Sequence, residues 1–120
     1  MNTLVAVTQI VVALAIVNVW LFRYGRATSW RGGEATNMKE EFAVYGLPHW
    51  FMFTVGSLKL LLASLLVVGV WVPELSRPAA IGMGALMAGA VAMHLKVGDP
   101  LRKSLPAFTM LVLCALIALA

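Results

Sequence analysis

The stretch TLVAVTQIVVALAIVNVWLF, Thr3 to Phe22, contains twenty residues and not one charged side chain. Crossing about 30 Å of hydrocarbon at 1.5 Å per residue takes roughly 20 mostly apolar residues in a helix. The run is too long for a strand and has the length of one membrane span. The residues ahead of it, Met1-Asn2, carry no positive charge, and Trp20, Leu21, Phe22 and Arg23 stand where a signal peptide would need a small-x-small cleavage site. The segment therefore reads as a retained helix.

The pattern repeats along the chain. Of 120 residues 62% are hydrophobic and only 12% charged, and the charges are bunched between apolar runs. Soluble domains are nearer half apolar and a quarter charged. Further spans are expected at about 47–71, 79–97 and 100–120, with a long polar loop at 23–46. Trp50, Phe51, Phe53 and Trp71 collect at the two ends of the second span, as interfacial aromatics do. Gly98 ends the third span, and Asp99-Pro100 opens the fourth with Asp as cap, the helix bending mildly at Pro106. Four spans with short connections predict an all-α, polytopic protein: an antiparallel four-helix transmembrane bundle forming a single domain over 1–120.

The net charge of +4 follows the topology. Arg23, Arg26, Arg31 and Lys39 lie between spans one and two, and Lys96, Arg102 and Lys103 between three and four. The opposite side carries Arg77 alone. The positive-inside rule places both basic loops in the cytoplasm and both termini outside, in a bacterial cytoplasmic membrane. Basic residues placed this way give no support for nucleic-acid binding. The lone cysteine, Cys114, lies deep in the last span, forms no intrachain disulfide and reads as a small buried hydrophobe. No phosphate loop, nucleophile–base pair, zinc spacing or dinucleotide fingerprint is present, so neither catalytic nor metal-binding residues are assigned.

Apolarity alone does not associate helices in lipid; close backbone approach and polar contacts do. Gly84, Ala88 and Ala92 recur at four-residue spacing in the third span, beside a neighbouring stripe of Gly82, Ala85 and Gly89, and both are expected to pack within the bundle. Met83 and Met87 read as adaptable packing.

Lys59 is the residue least suited to its place. It sits near the middle of the second span with about 18 Å of helix on either side. A central lysine costs about 2.5–3.5 kcal/mol on insertion scales, so it should face the bundle interior, a cavity or a partner. Gln9 and Cys114 fall at similar depth, and no acidic residue does. Three companions remain open: Gln9 with backbone carbonyls, a carbonyl-bearing or anionic ligand, or a carboxylate of another protein. His49 and His94 fall at a common depth near the basic end, where each bonds locally or the two meet; Asn18 completes a polar cluster there.

Leu47-Pro48-His49-Trp50-Phe51, then Gly56-Ser57-Leu58-Lys59-Leu60-Leu61, the Pro73 turn, Ala90-Val91-Ala92-Met93-His94, and Gly98-Asp99-Pro100 before Pro106 follow one another in an order that resembles the DoxX-like family of small four-helix membrane proteins. Leu62 departs from it, standing where a small residue is expected. The resemblance implies a four-helix bundle, with Lys59 and His94 as the positions carried over. It also implies a small accessory subunit of redox-linked membrane chemistry, with quinone or another small hydrophobic ligand at Lys59. The alternative is a non-enzymatic assembly factor or structural subunit held to another membrane protein or a second copy. Both readings point away from a stand-alone enzyme.

Overall fold

The computed structural model describes residues 3–26, 28 and 30–120. Helix α1 (Thr3–Val17) runs on into a π turn, Asn18–Phe22, closed by the Arg23 N–H donating to the Asn18 carbonyl at 2.9 Å. Its uncharged sequence permits this entry into lipid, and one stripe, Gln9, Val12, Ala13, Ile16 and Trp20, is turned inward. A loop then leads to a short helix α2 (Met38–Val44). Asn37 caps it, its side chain accepting from the Glu40 N–H at 2.8 Å, while Glu40 reaches back to the Thr36 backbone N–H and hydroxyl. This is the reciprocal pattern of a capping box, shifted back by one residue at its outer end. Those hydrogen bonds from Thr36 hold the Glu40 carboxyl below its ordinary range.

Pro48, extended, ends the connection, and α3 (His49–Val68) follows. A 3-10 turn over Pro73–Leu75 leads into α4 (Ser76–Lys96); a second, Leu101–Ser104, leads into α5 (Leu105–Leu119). The four long helices alternate in direction and close a ring: α1 against α3, α3 against α4, α4 against α5, and α5 against α1. All four have the length and apolar character of spans, and the molecule measures 41 × 25 × 19 Å. Its long axis covers a hydrocarbon core plus part of each headgroup layer. Leu4, Leu14, Phe22, Trp50, Phe53, Leu61, Trp71 and Phe108 point outward, as lipid-facing residues must.

Small residues set the helix separations. Gly84 lies against Cys114 and Leu111 of α5, and the Leu62 side chain packs 3.3 Å from where a Gly82 Cβ would stand. The departure at Leu62 is thus compensated by a glycine opposite. The expectation for the other small residues is corrected: Ala85, Ala88, Gly89 and Ala92 face outward. The inward stripe of α4 instead takes Ala79, Ala80, Met83, Gly84, Met87 and His94.

Helix ends inside a bilayer need partners for their last carbonyls. Here neighbouring helices supply them. Gln9 Nε2 donates to the Leu66 carbonyl at 2.8 Å and to Ser76 Oγ at 3.1 Å, and Ser76 Oγ donates to the Gly69 carbonyl at 3.1 Å. Arg77 Nε donates to the Ala118 carbonyl of α5 at 2.9 Å. Gln9 is therefore spent on capping α3, and Lys59 does not receive it. Its Oε1 stays buried without a hydrogen bond among the described residues.

The fourth span also differs from expectation in its opening. Asp99 does not cap it, and the 3-10 turn precedes the α-helix. The Asp99 carboxylate is drawn instead to His94 and to the loop between α1 and α2.

Candidate functional site

On α3 the inward stripe is Met52, Gly56, Lys59, Ala63 and Leu66. The missing side chain of Gly56 makes room for the Trp20 ring, two of whose carbons would lie 2.5 and 2.6 Å from a Cβ at that position. Lys59, one turn further, is 8% exposed and holds its Nζ 5.5 Å from the centroid of the same ring. Attraction to the π face is the contact that accommodates the ammonium. Lys59 donates no hydrogen bond to any described group. Lys59 forms no ion pair among the described residues. Helix α2 folds back under the bundle, with Phe42 edge-on to Trp20 at 5.9 Å.

Below this aromatic floor lies a continuous polar chain. Arg31, 4% exposed, gathers the loop around itself. It donates to the carbonyls of Arg23, Tyr24 and Arg26 and pairs with Glu41 Oε2 at 3.0 Å. Glu41 Oε1 accepts from the Gly32 N–H at 2.9 Å and from the Tyr45 hydroxyl at 3.0 Å. Gly32 has no side chain because the Tyr45 ring occupies that space. The Tyr45 oxygen lies 3.4 Å from His94 Nε2, and His94 Nδ1 lies 2.8 Å from Asp99 Oδ2. The Asp99 carboxylate also accepts from the Gly33 N–H at 3.0 Å, where φ of +54° suits glycine. Lys103 Nζ is 4.0 Å from Asp99 and donates to the Gly33 carbonyl, while Lys96 Nζ donates to the Tyr45 carbonyl at 2.8 Å.

This chain ties residues 31–45 to the ends of α4 and α5. Burial pushes the Tyr45 phenol well up, with the Glu41 charge adding to it, so Tyr45 stays protonated. Burial also pushes Asp99 up. The His94 and Gly33 hydrogen bonds and the Lys103 charge outweigh that and hold its carboxyl below the ordinary range.

The chain belongs to the DoxX-like family. The family model matches residues 7–119, nearly the whole chain. No curated protein and no solved structure matches it. As a DoxX-like protein it places the sequence-derived site residues unequally. Lys59 and His94 are both buried. They make no direct contact: Lys59 sits over the Trp20 ring, and His94 packs against Tyr45. His49 is exposed with its ring 4.8 Å from Phe53, and does not meet His94, because Tyr45 takes that place. Asn18 is exposed on the π turn, and Gln9 sits at the other end of the bundle. The residues that sequence reasoning missed are Arg31, Glu41, Tyr45 and Asp99. Part of the signal was present: Asn37-x-x-Glu40 announces a helix start, and Glu41 and Tyr45 then share a face at i and i+4.

Proposed function

We propose that this DoxX-like protein is a small subunit of redox-linked membrane chemistry that binds a carbonyl-bearing hydrophobic ligand, of the quinone class, at Lys59. The observation carrying the reading is a buried lysine inside a lipid-embedded bundle whose three ammonium donors have no hydrogen-bond acceptor among the described residues. Intramembrane ionisable groups are costly and rarely retained without a use. A quinone carbonyl supplies the missing acceptor, and Trp20, Met52 and Phe42 supply an apolar, stackable surround. The basic loops lie in the cytoplasm on this reading, in a bacterial cytoplasmic membrane with both termini outside.

The test uses protein in nanodiscs with short-chain benzoquinone and naphthoquinone analogues as probes. Trp30, Trp50 and Trp71 are replaced by Phe so that Trp20 emission reports alone. Saturable quenching that is lost in Lys59→Met supports the proposal. Equal quenching in both sinks it.

A second reading rests on the outward small residues of α4. Ala85 with Gly89, and Ala88 with Ala92, present two four-residue small spacings to lipid, and nothing lies within 4 Å of the Gly89 Cβ position. Such faces admit a second helix closely. On this reading the chain is a structural or assembly subunit. Gly89→Leu then releases it from a larger complex in mild detergent while Lys59→Met does not.

A further inference from the structure

The chain Glu41–Tyr45–His94–Asp99 has one feature that hydrogen counting exposes. Ionised carboxylates at its two ends only accept, and the Tyr45 hydroxyl has a single hydrogen to give. With Tyr45 donating to Glu41, His94 Nε2 must itself donate to the Tyr45 oxygen, and Nδ1 must donate to Asp99. Both ring nitrogens then carry hydrogen, and His94 is an imidazolium. With His94 neutral, Nδ1–H still faces Asp99, but Nε2 is a bare acceptor. The Tyr45 hydroxyl then turns its hydrogen from Glu41 to Nε2. Glu41 keeps Arg31 and the Gly32 N–H, so it is not stranded. Both arrangements are satisfied by the same heavy atoms.

We propose that His94 is a proton-binding site at the basic end of the bundle, loaded through Glu41 and Tyr45. The inference is independent of what Lys59 binds. A proton taken up from water by Glu41 Oε1 passes to the Tyr45 oxygen as the Tyr45 hydrogen passes to His94 Nε2. One O–H bond forms and one breaks at Tyr45, which ends as the neutral phenol it began as. Glu41 returns to carboxylate, and His94 has gained one proton. Release is the reverse.

The groups around this site are few. Glu41 comes from α2 and Tyr45 from the residue that closes it, Arg31 and the Gly33 N–H from the loop before it, and Asp99 from the turn after α4. Lys103 comes from the following 3-10 turn, and Lys96 from α4 itself. Asp99 fixes which nitrogen keeps its hydrogen, leaving Nε2 as the atom that loads.

The experiment is nitrogen-15 NMR of the full chain, histidine-labelled, in nanodiscs, with His49→Gln leaving His94 as the single imidazole. The expected result is a doubly protonated ring at acid pH and an Nδ1–H neutral tautomer at alkaline pH. In Tyr45→Phe the ring is kept and the hydroxyl lost. Proton exchange at Nε2 should slow at least tenfold, and the neutral Nε2 signal should lose its hydrogen-bond shift. In Asp99→Asn the neutral form should become a mixture of tautomers. A ring held in one protonation state throughout overturns the proposal, as does unchanged exchange in Tyr45→Phe. If that variant fails to fold, an unmixed tautomer in Asp99→Asn overturns it instead.

Discussion

Replacing Gly56 by alanine tests the contact on which the Lys59 environment depends. The new Cβ would fall 2.5 and 2.6 Å from two Trp20 ring carbons and 3.2 Å from a third. Carbon atoms are comfortable at about 3.5–4.0 Å, so the ring must retreat by about 1 Å. Overpacking of this kind costs about 1–3 kcal/mol. Moving the ring also weakens the Lys59 contact, worth about 0.5–2 kcal/mol. Against this, exchanging glycine for alanine in a helix returns about 1 kcal/mol. The net expectation is a destabilisation of roughly 1–3 kcal/mol. Gly89→Ala is the control, since nothing lies within 4 Å of that Cβ. It keeps the propensity gain and meets no clash. Both are measured by reversible unfolding in mixed micelles, in the background where Trp20 is the sole tryptophan. Gly56→Ala should fall below wild type with a shifted Trp20 emission, and Gly89→Ala should match or exceed it. If the two variants are equally stable and the emission is unmoved, Trp20 does not lie on Gly56 and the site is built wrongly.

Arg31→Ala leaves the half-buried Glu41 without its cation and frees three loop carbonyls. It should cost about 3–5 kcal/mol and loosen α2 so that trypsin cleaves after Lys39, whereas Arg77→Ala at the opposite, exposed end should cost about 1 kcal/mol or less. The Asp99 carboxyl has its folded-state pKa below the ordinary 3.8, so its contribution is complete above that value and is lost as pH falls through the folded one. Hydrogen-exchange protection factors over residues 31–46, corrected for the intrinsic rate, should therefore fall in acid. An acid response of the protection factors equal to that of Asp99→Asn would contradict the Asp99 link. Gln9→Leu removes two hydrogen bonds, worth about 0.6 kcal/mol each in lipid. It also removes an unsatisfied oxygen costing about 1–3 kcal/mol. Its stability should stay within about 1 kcal/mol of wild type, and a much larger loss would mean that Oε1 has a partner.

The spans were legible because lipid imposes one requirement on every residue of a segment. Thr3 to Phe22 needs only its own composition to declare itself. Lys59 stood out for the same reason, as an exception to a local rule. The polar chain did not, because its members come from three separate places. Nothing near His94 in sequence names Tyr45, forty-nine residues earlier, as its neighbour. Asp99 read as a helix cap because Asp-Pro often opens a helix. The competing partner, the Gly33 N–H, is visible only once the loop folds under α4. Small residues on α4 misled in the other direction. Periodicity identifies a face, and it took the neighbours of Gly84 to show which face turns inward.

Two adjacent helices are unequal in length. From Ser76 to Lys96, α4 rises about 32 Å, whereas α5, from Leu105 to Leu119, rises about 22 Å and reaches span length only with the 3-10 turn Leu101–Ser104, which carries Arg102 and Lys103. Arg77 bridges this difference by reaching down to the Ala118 carbonyl. A bilayer that keeps Arg102 and Lys103 in its headgroup layer must accordingly thin beside α5 by several ångströms. That mismatch makes the fold sensitive to acyl-chain length: lipids shorter than the usual thickness should hold it best, and long-chain, sterol-like membranes should exclude it.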